Sequence, residues 1–375
     1  MAEGELFGGV YRGRRVLLTG HTGFKGGWLA LWLAELGAEV HGYALEPPTT
    51  PSLFEDAGVA SVLASHTVGD IRDARALRGA LAAASPEIVI HMAAQPLVRL
   101  SYEQPADTYE VNVMGTVRLL DAVRVTPSVR VCQVVTSDKC YENREWPYGY
   151  RENDPMGGYD PYSSSKGCAE LVVSAYRRSY FGDAATSLSS VRAGNVIGGG
   201  DWALDRIVPD CVRALAAGES VLVRNPDAVR PWQHVLEPLA GYLHLAAAQW
   251  SAPALGAEGW NFGPSPAGSV PVREIVETAI GCWGEGEWHS PPRAPGALHE
   301  AHLLKLDTTK AQTLLGWRPA YEVGEAVSET ARWYRARHDA GAAFDGGALC
   351  REQIGRYTER ARRGGAAWAT GVMEA

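Results

Sequence analysis

Tyr162 and Lys166 bound the run Tyr162-Ser163-Ser164-Ser165-Lys166, and a spacing of four residues sets both side chains on one face of a helix. A phenol with a pKa near 10 is a poor base at neutral pH, but an ammonium fixed beside it favours the phenolate. Alone, such a pair recurs by chance. Two further stretches give it meaning: Gly20-His21-Thr22-Gly23-Phe24-Lys25-Gly26, directly behind the apolar run Arg15-Val16-Leu17-Leu18-Thr19, and Thr136-Ser137-Asp138-Lys139, shortly before the tyrosine. Together they read as a nicotinamide-dependent site in which the tyrosine exchanges a proton while hydride moves.

Elements must hold these residues. Arg15 to Thr19 reads as a strand, Trp28 to Leu36 repeats at helical period, and after Gly37 the run Glu39 to Leu45 is strand-like, which makes a βαβ unit. Further strands fit Thr67 to Gly69, Ile88 to His91, Val129 to Val135 and Ser187 to Arg192; helices fit Ala74 to Ala83, Pro105 to Arg124 and Ser163 to Arg178. This alternation predicts an α/β fold with a doubly wound parallel sheet of Rossmann type, buried on both faces. Beyond Asn195 the pattern loosens into Gly198-Gly199-Gly200, a helical run Ile207 to Ala217 and a short strand Val221 to Val223, a cap over the sheet's C-terminal edge. Gln233 to Ala248 and Trp260 to Phe262 are expected to return to the sheet. The expected domains are therefore a dinucleotide-binding domain over 1–195 joined by 230–262, and a smaller interleaved substrate domain from 196–229 and 263–358. A polar, Gly/Ala-rich tail over 359–375 is expected to be mobile. Trp28 and Trp32, at i and i+4, read as packing rather than sugar stacking.

Composition narrows the field. A chain of 375 residues with a net charge of −8 and dispersed Lys and Arg argues against nucleic acid as a partner, so any anion site must be local. Met1 to Val10 lacks a signal-peptide pattern, and no stretch is long and apolar enough to span a membrane. The six cysteines show no C-x-x-C and no metal-ligand spacing with histidine, so a reduced cytoplasmic protein without a metal is expected, with Cys132 and Cys168 as small core residues.

Gly20, Gly23 and Gly26 sit between a strand and a helix, where the first permits the turn and the others let backbone N–H groups meet a pyrophosphate. The expected cofactor contacts are Gly20, Thr22, Gly23, Phe24 and Lys25 in this turn, Asp70 and Ile71 toward an adenine, and Ala93, Ala94 and Gln95 along the centre. Lys25 can point to solvent or to phosphate. One expected feature is missing: the end of the second strand usually carries a carboxylate for the adenosine ribose, and here it carries Ala44, with Glu46 two residues on. Loose retention of the dinucleotide follows as an expectation.

The chain resembles the extended short-chain dehydrogenase/reductases, and within them the nucleotide-sugar 4,6-dehydratases that act on CDP-glucose. The likeness is carried by Gly20 to Gly26, Glu46-Pro47-Pro48-Thr49-Thr50, Ala94 to Arg99, Thr136 to Tyr141, Tyr162 to Lys166, Arg192-Ala193-Gly194-Asn195 and Arg230-Pro231-Trp232-Gln233-His234, and it covers nearly the whole chain. The resemblance implies NAD as cofactor, oxidation of glucose at C4, loss of water across C5 and C6, and hydride return to C6. It implies that Tyr162 takes the C4 hydroxyl proton, Lys166 holds the nicotinamide ribose and lowers the tyrosine's pKa, and Ser137 hydrogen-bonds the reacting oxygen. Asp138 and Lys139 are then the acid/base pair for elimination, where related dTDP-sugar enzymes carry Asp-Glu. Lys139 is either that base or the ion-pair partner of Asp138. By the same resemblance Gln95 lies near the sugar and Asn195 and Arg230 near the diphosphate, a salt bridge being the alternative for Arg230. His91 and His234 read as strand residues. A homodimer is the family's usual assembly. Dehydration of another nucleotide-hexose and a sugar-nucleotide 4-epimerase are the rival enzyme readings; a dinucleotide-binding scaffold without chemistry is the rival from another class.

Overall fold

The computed structural model describes residues 5–182, 185–291 and 303–371. Its centre is a sheet of seven parallel strands: β1 (Arg15–Thr19), β2 (Glu39–Ala44), β3 (Ser65–Val68), β4 (Ile88–His91), β5 (Val131–Val135), β6 (Ser187–Ala193) and β7 (Gly259–Phe262), in the order β7-β6-β5-β4-β1-β2-β3. Alternation along the inner strands divides the core between two faces, the edge strand β3 being exposed. Val16, Leu18, Ile88 and Ile90 meet Trp28 and Trp32 of the helix Phe24–Glu35 and the side chains of Leu236–Ser251. Leu17, Val89 and Cys132 meet Leu77, Leu81, Leu119 and Leu120 on the other side. Strands covered on both faces are why β1 and β4 read as unbroken apolar runs. Trp28 and Trp32 are both fully buried, as packing requires.

The chain order reverses between β1 and β4, and a crevice opens beyond their C-terminal ends. β7 joins the sheet beside β6 (Gly259 against Ser190, Phe262 against Ala193), so the chain leaves for the cap and returns. The cap itself carries the helix Ile207–Ala216 and three small strand pairs, among them Val229–Pro231 with Ser269–Pro271.

Two sequence expectations are corrected. The stretch read as one helix over Pro105 to Arg124 is helical at Pro105–Tyr109 and Gly115–Val123, but Glu110–Met114 between them forms a wider π turn. Asn112 in that turn spends both ends of its amide on tertiary partners, which holds the turn open. The tail expected to be mobile over 359–375 is structured as far as 371, residues 372–375 lying outside the described residues: the helix Gly346–Arg363 continues past Glu359, and Ala367–Thr370 follows. The reason is one side chain. Trp368 is fully buried, stacked on Phe7 at a ring distance of 4.9 Å and on Tyr357 at 5.9 Å. Trp368→Ala should lower the unfolding free energy by about 3–5 kcal/mol, read from urea denaturation; a loss below roughly 1 kcal/mol would mean that the C-terminal segment is not part of the core.

Candidate active site

The turn after β1 is shaped by close approach. Gly20 lies at φ +77°, and a Cβ there would fall 2.7 Å from the Ala93 nitrogen; one on Gly26 would fall 2.1 Å from the Gly20 carbonyl oxygen. Gly23 caps the helix Phe24–Glu35 without a side-chain hydrogen bond, which leaves its first N–H groups for an anion. This cradle fits a pyrophosphate. Around it, the Thr22 hydroxyl donates to the Leu45 carbonyl (2.9 Å), and the Phe24 ring packs so closely that a Cβ on Gly198 would come within 3.0 Å of it.

Lys25 does not point to solvent. Its Nζ turns inward, donating to the Tyr242 hydroxyl at 3.1 Å and lying 5.0 Å from that ring's centre. Burial, with Lys166 and Arg206 nearby, brings its pKa down to about 7, against the pull of Asp138. His21 is also buried, its Nε2 2.7 Å from His66 Nδ1, over Gly42, where a Cβ would lie 2.6 Å from the ring. Ala44 ends β2 in a buried position, and Glu46 beyond it is exposed.

Hydrogen bonds tie the ends of the strands to the helices. The Thr19 hydroxyl accepts from the backbone of Met92 (3.1 Å) and Ala93 (3.2 Å) and is bonded to His91 Nδ1 at 2.7 Å. Ala94 follows in the same partly buried loop. Gln95 donates its N–H to Asn112 Oδ1 (2.9 Å) and its side-chain amide to the Thr108 hydroxyl (2.9 Å), so its amide faces the helix behind the loop. Asn112 then donates to the Ser165 hydroxyl at 2.9 Å, between Tyr162 and Lys166. Asp70 pairs with Arg72 at 2.7 Å, which with its hydrogen bonds holds the carboxyl below its ordinary range, and its carbonyl accepts from Tyr43; Ile71 is in the core.

The helix Pro161–Tyr180 starts on Pro161, with Asp160 Oδ1 accepting from Ser163 N at 2.9 Å, and places Tyr162 and Lys166 one turn apart. Opposite it, the short 3-10 turn Asp138–Cys140 follows β5, capped by the Ser137 hydroxyl, which accepts from Lys139 N at 3.2 Å. The same hydroxyl donates to Asp138 Oδ1 at 2.9 Å. Asp138 Oδ2 is buried and has no hydrogen-bond partner among the described residues. Burial raises the pKa of Asp138, while Lys139, Ser137 and Arg230 pull it down. Lys139 is partly buried and, among the described residues, makes no ion pair with Asp138.

Lys166 donates to the Val135 carbonyl (3.4 Å), and burial brings it down to about 8. Tyr162 departs from expectation. Burial drives its pKa up to about 12, with Asp138 and Asp160 adding to the rise; Ser137 and Arg206, not Lys166, are the groups that pull it down. Asn195 stands partly buried after β6, its carbonyl accepting from Gln233 N at 3.0 Å, and Arg230 lies on Val229–Pro231, its Nη1 donating to the Val229 carbonyl at 3.0 Å.

Sequence reasoning missed four residues here. Asn112 and Tyr242 sit mid-helix with no local motif to mark them. Arg206 precedes Ile207–Ala216, held by Asp201 at 2.8 Å and close enough to influence Tyr162. Gly194 was quoted only as part of a motif, yet a Cβ on it would lie 3.0 Å from Asp138 Oδ2 and 2.9 Å from the Pro231 ring.

A family model for GDP-mannose 4,6 dehydratase matches residues 17–255. A CDP-glucose 4,6-dehydratase of Salmonella typhimurium is 53% identical over 338 residues, covering 87% of this chain and 92% of that protein. The chain belongs to the nucleotide-sugar 4,6-dehydratases of the extended short-chain dehydrogenase/reductase superfamily. Two further members of the superfamily match at lower identity. A UDP-glucose 4-epimerase of Mycolicibacterium smegmatis is 28% identical over 86% of this chain and 98% of its own length. The dTDP-glucose 4,6-dehydratase DesIV of Streptomyces venezuelae, solved with NAD bound, superposes with a TM-score of 0.71 at 25% identity, over 86% of this chain and 97% of its own.

The inward turn of Lys25 sets a pH dependence for this dehydratase fold. Its pKa is about 7 in the folded chain against 10.5 unfolded, so between those values the unfolded state binds more protons and stability rises with pH. The penalty is complete below pH 7. Lys25→Met should raise stability most at or below neutral pH and remove that rise, measured by urea unfolding of both proteins across the window; parallel curves would show that Lys25 keeps its ordinary affinity for the proton.

Proposed function

We propose that this chain dehydrates CDP-D-glucose to CDP-4-keto-6-deoxy-D-glucose, with NAD regenerated in each turnover. The observation that carries the reading is Asp138: a buried carboxyl with one unpartnered oxygen, adjacent to Lys139, in the same turn as Ser137 and close to Tyr162. A 4-epimerase needs the oxidation half alone, and this second pair has no task in it. The glycine turn Gly20 to Gly26 and the start of the helix behind it would hold NAD, which would supply the hydride acceptor for C4 and the hydride donor for C6.

The residues divide the remaining work. Tyr162 removes the C4 hydroxyl proton, Ser137 hydrogen-bonds the same oxygen, and Lys166 holds the nicotinamide ribose. Because burial holds Tyr162 high, its ionisation depends on groups that favour the phenolate, and in the chain itself these are the Ser137 hydroxyl and the Arg206 guanidinium. The C4 ketone acidifies C5–H. Lys139, in its neutral form, takes that proton while Asp138, whose burial favours the protonated carboxyl, gives one to the C6 oxygen, which leaves as water. Asn195 and Arg230 bind the diphosphate, Arg230 through its planar fork, and the loop of Gln95 borders the sugar while the Gln95 amide itself is held by Thr108. In this reading residues 1–195 with 230–262 hold the dinucleotide, and 196–229 with 263–358 hold the sugar nucleotide. Cytidine as the base is supported by the 53% identity to the Salmonella enzyme. A cytoplasmic homodimer accompanies the reading, supported by Tyr109, Met114 and Leu171, apolar side chains exposed on the helices beside the site; among the described residues no helix is long and apolar enough to cross a membrane.

CDP-glucose deuterated at C4 should give a product lighter by one water with the label at C6. Label lost to solvent, or a product of unchanged mass, would overturn the dehydratase reading. Lys139→Met should retain C4 oxidation, seen as single-turnover NADH absorbance, and slow C5 exchange in D₂O by about 10²-fold or more; undiminished exchange would return Lys139 to a role without proton transfer.

Ala44 should weaken NAD retention. A missing hydrogen bond to a charged group is worth roughly 1.5–3 kcal/mol, or on the order of tenfold to a hundredfold in affinity. Ala44→Asp should tighten NAD and reject NADP by setting a negative charge against its 2′-phosphate. Calorimetric titration of both proteins with both dinucleotides decides this, and no gain from the aspartate would mean that another group already holds the ribose.

A further inference from the structure

Glu170 lies on the helix Pro161–Tyr180, one turn beyond Lys166, with a side chain 4% exposed. Its Oε1 accepts from the Thr136 hydroxyl and from Arg192 Nε (2.8 Å), and its Oε2 from Arg192 Nη2 (2.6 Å) and the Ser190 hydroxyl (2.7 Å). Arg192 reaches on to the Tyr141 hydroxyl at 2.6 Å, and Tyr141 donates to Asn261 Oδ1 at 2.8 Å. Thr136 and Tyr141 flank the segment that carries Ser137, Asp138 and Lys139. Both ends of that segment are thus tied to one buried ion pair. Such a pair is a weak source of net stability, because its desolvation offsets most of its Coulomb attraction. Its placement asks for another reason.

We propose that Glu170 is a positioning residue for the redox half-reaction: it anchors both ends of the loop bearing Ser137, Asp138 and Lys139, and its negative charge holds Lys166 as an ammonium. The proposal rests on the reading of Tyr162 and Lys166 as the redox pair. Lys166 is faced by Glu170 from its own helix, by Cys140 and the Val135 carbonyl from the end of β5 and the loop after it, by His91 from β4 and by Lys25 from the helix Phe24–Glu35. His91, brought down to about 3 by burial and by Lys166, is neutral. Burial opposes the charge on Lys166. Glu170 is the carboxylate that favours it, kept ionised in spite of its burial by the Arg192 guanidinium.

The test is NAD binding followed by calorimetry across a pH series, since the ammonium form of Lys166 binds the nicotinamide ribose. In Glu170→Gln the upper pH limit of binding should move down by about one pH unit or more. Glu170→Asp, which keeps the charge, should bring it back. If Glu170→Gln alone does not fold, Glu170→Gln combined with Arg192→Met restores charge balance in the core and should fold with the limit still low. Folded variants whose limit stays at the wild-type pH, with only a lower turnover number, would overturn the proposal and leave Glu170 a structural role. Because the titration uses no sugar nucleotide, failure to dehydrate CDP-glucose would overturn the substrate reading without moving this result.

Discussion

The cleft depends on how closely the ends of β1 and β4 can approach each other. Gly20 leaves no room for a side chain against Ala93, and Thr19 accepts two backbone N–H groups from the facing strand end. This closeness sets the glycine turn and the loop 93–95 side by side at the reversal of strand order, where a parallel sheet can bind a ligand outside its strand ends. Every other placement in the site is measured from that seam. Through His91, Thr116 and Asn112 it reaches the helix of Tyr162, so the cofactor turn and the catalytic helix are held by one hydrogen-bond chain.

Electrostatics gives the cleft its second character. Lys25, Lys166 and Arg206 act on one another or on Tyr162 in a buried space, and Asp138 is the carboxyl set among them. In low dielectric each cation is costly unless an anion is near. Within the chain those anions are Asp201 beside Arg206 and Glu170 beside Lys166.

Much of this was legible in the sequence for a physical reason. β1 and β4 lie where the runs Val16-Leu17-Leu18 and Ile88-Val89-Ile90 put them, because strands buried on both faces favour unbroken apolar runs. Ser137, Asp138, Tyr162 and Lys166 could be grouped because each lies in a local motif with its own backbone requirement. What was not legible depends on partners distant in the chain. The direction of Lys25 is decided by Tyr242, 217 residues away, and no window around residue 25 contains that information. The tail was misread because its composition is polar on average, while its fate rests on Trp368 finding Phe7 at the opposite end. The pKa of Tyr162 was expected to fall because spacing shows a neighbour and does not show burial.

The π turn at Glu110–Met114 has a consequence for chain length. Widening one helical turn accommodates an additional residue, and each residue of an α-helix rotates the following face by about 100°. Upstream of the turn the helix addresses the loop of Gln95 through Thr108; downstream it buries Leu119 and Leu120 in the core. Both faces are satisfied because the wider turn absorbs the additional residue and leaves the phase of the helix on either side unchanged. Between Pro105 and Val123, therefore, one position can be carried without turning the core leucines from the sheet, and the cost of carrying it is met by the hydrogen bonds of Asn112.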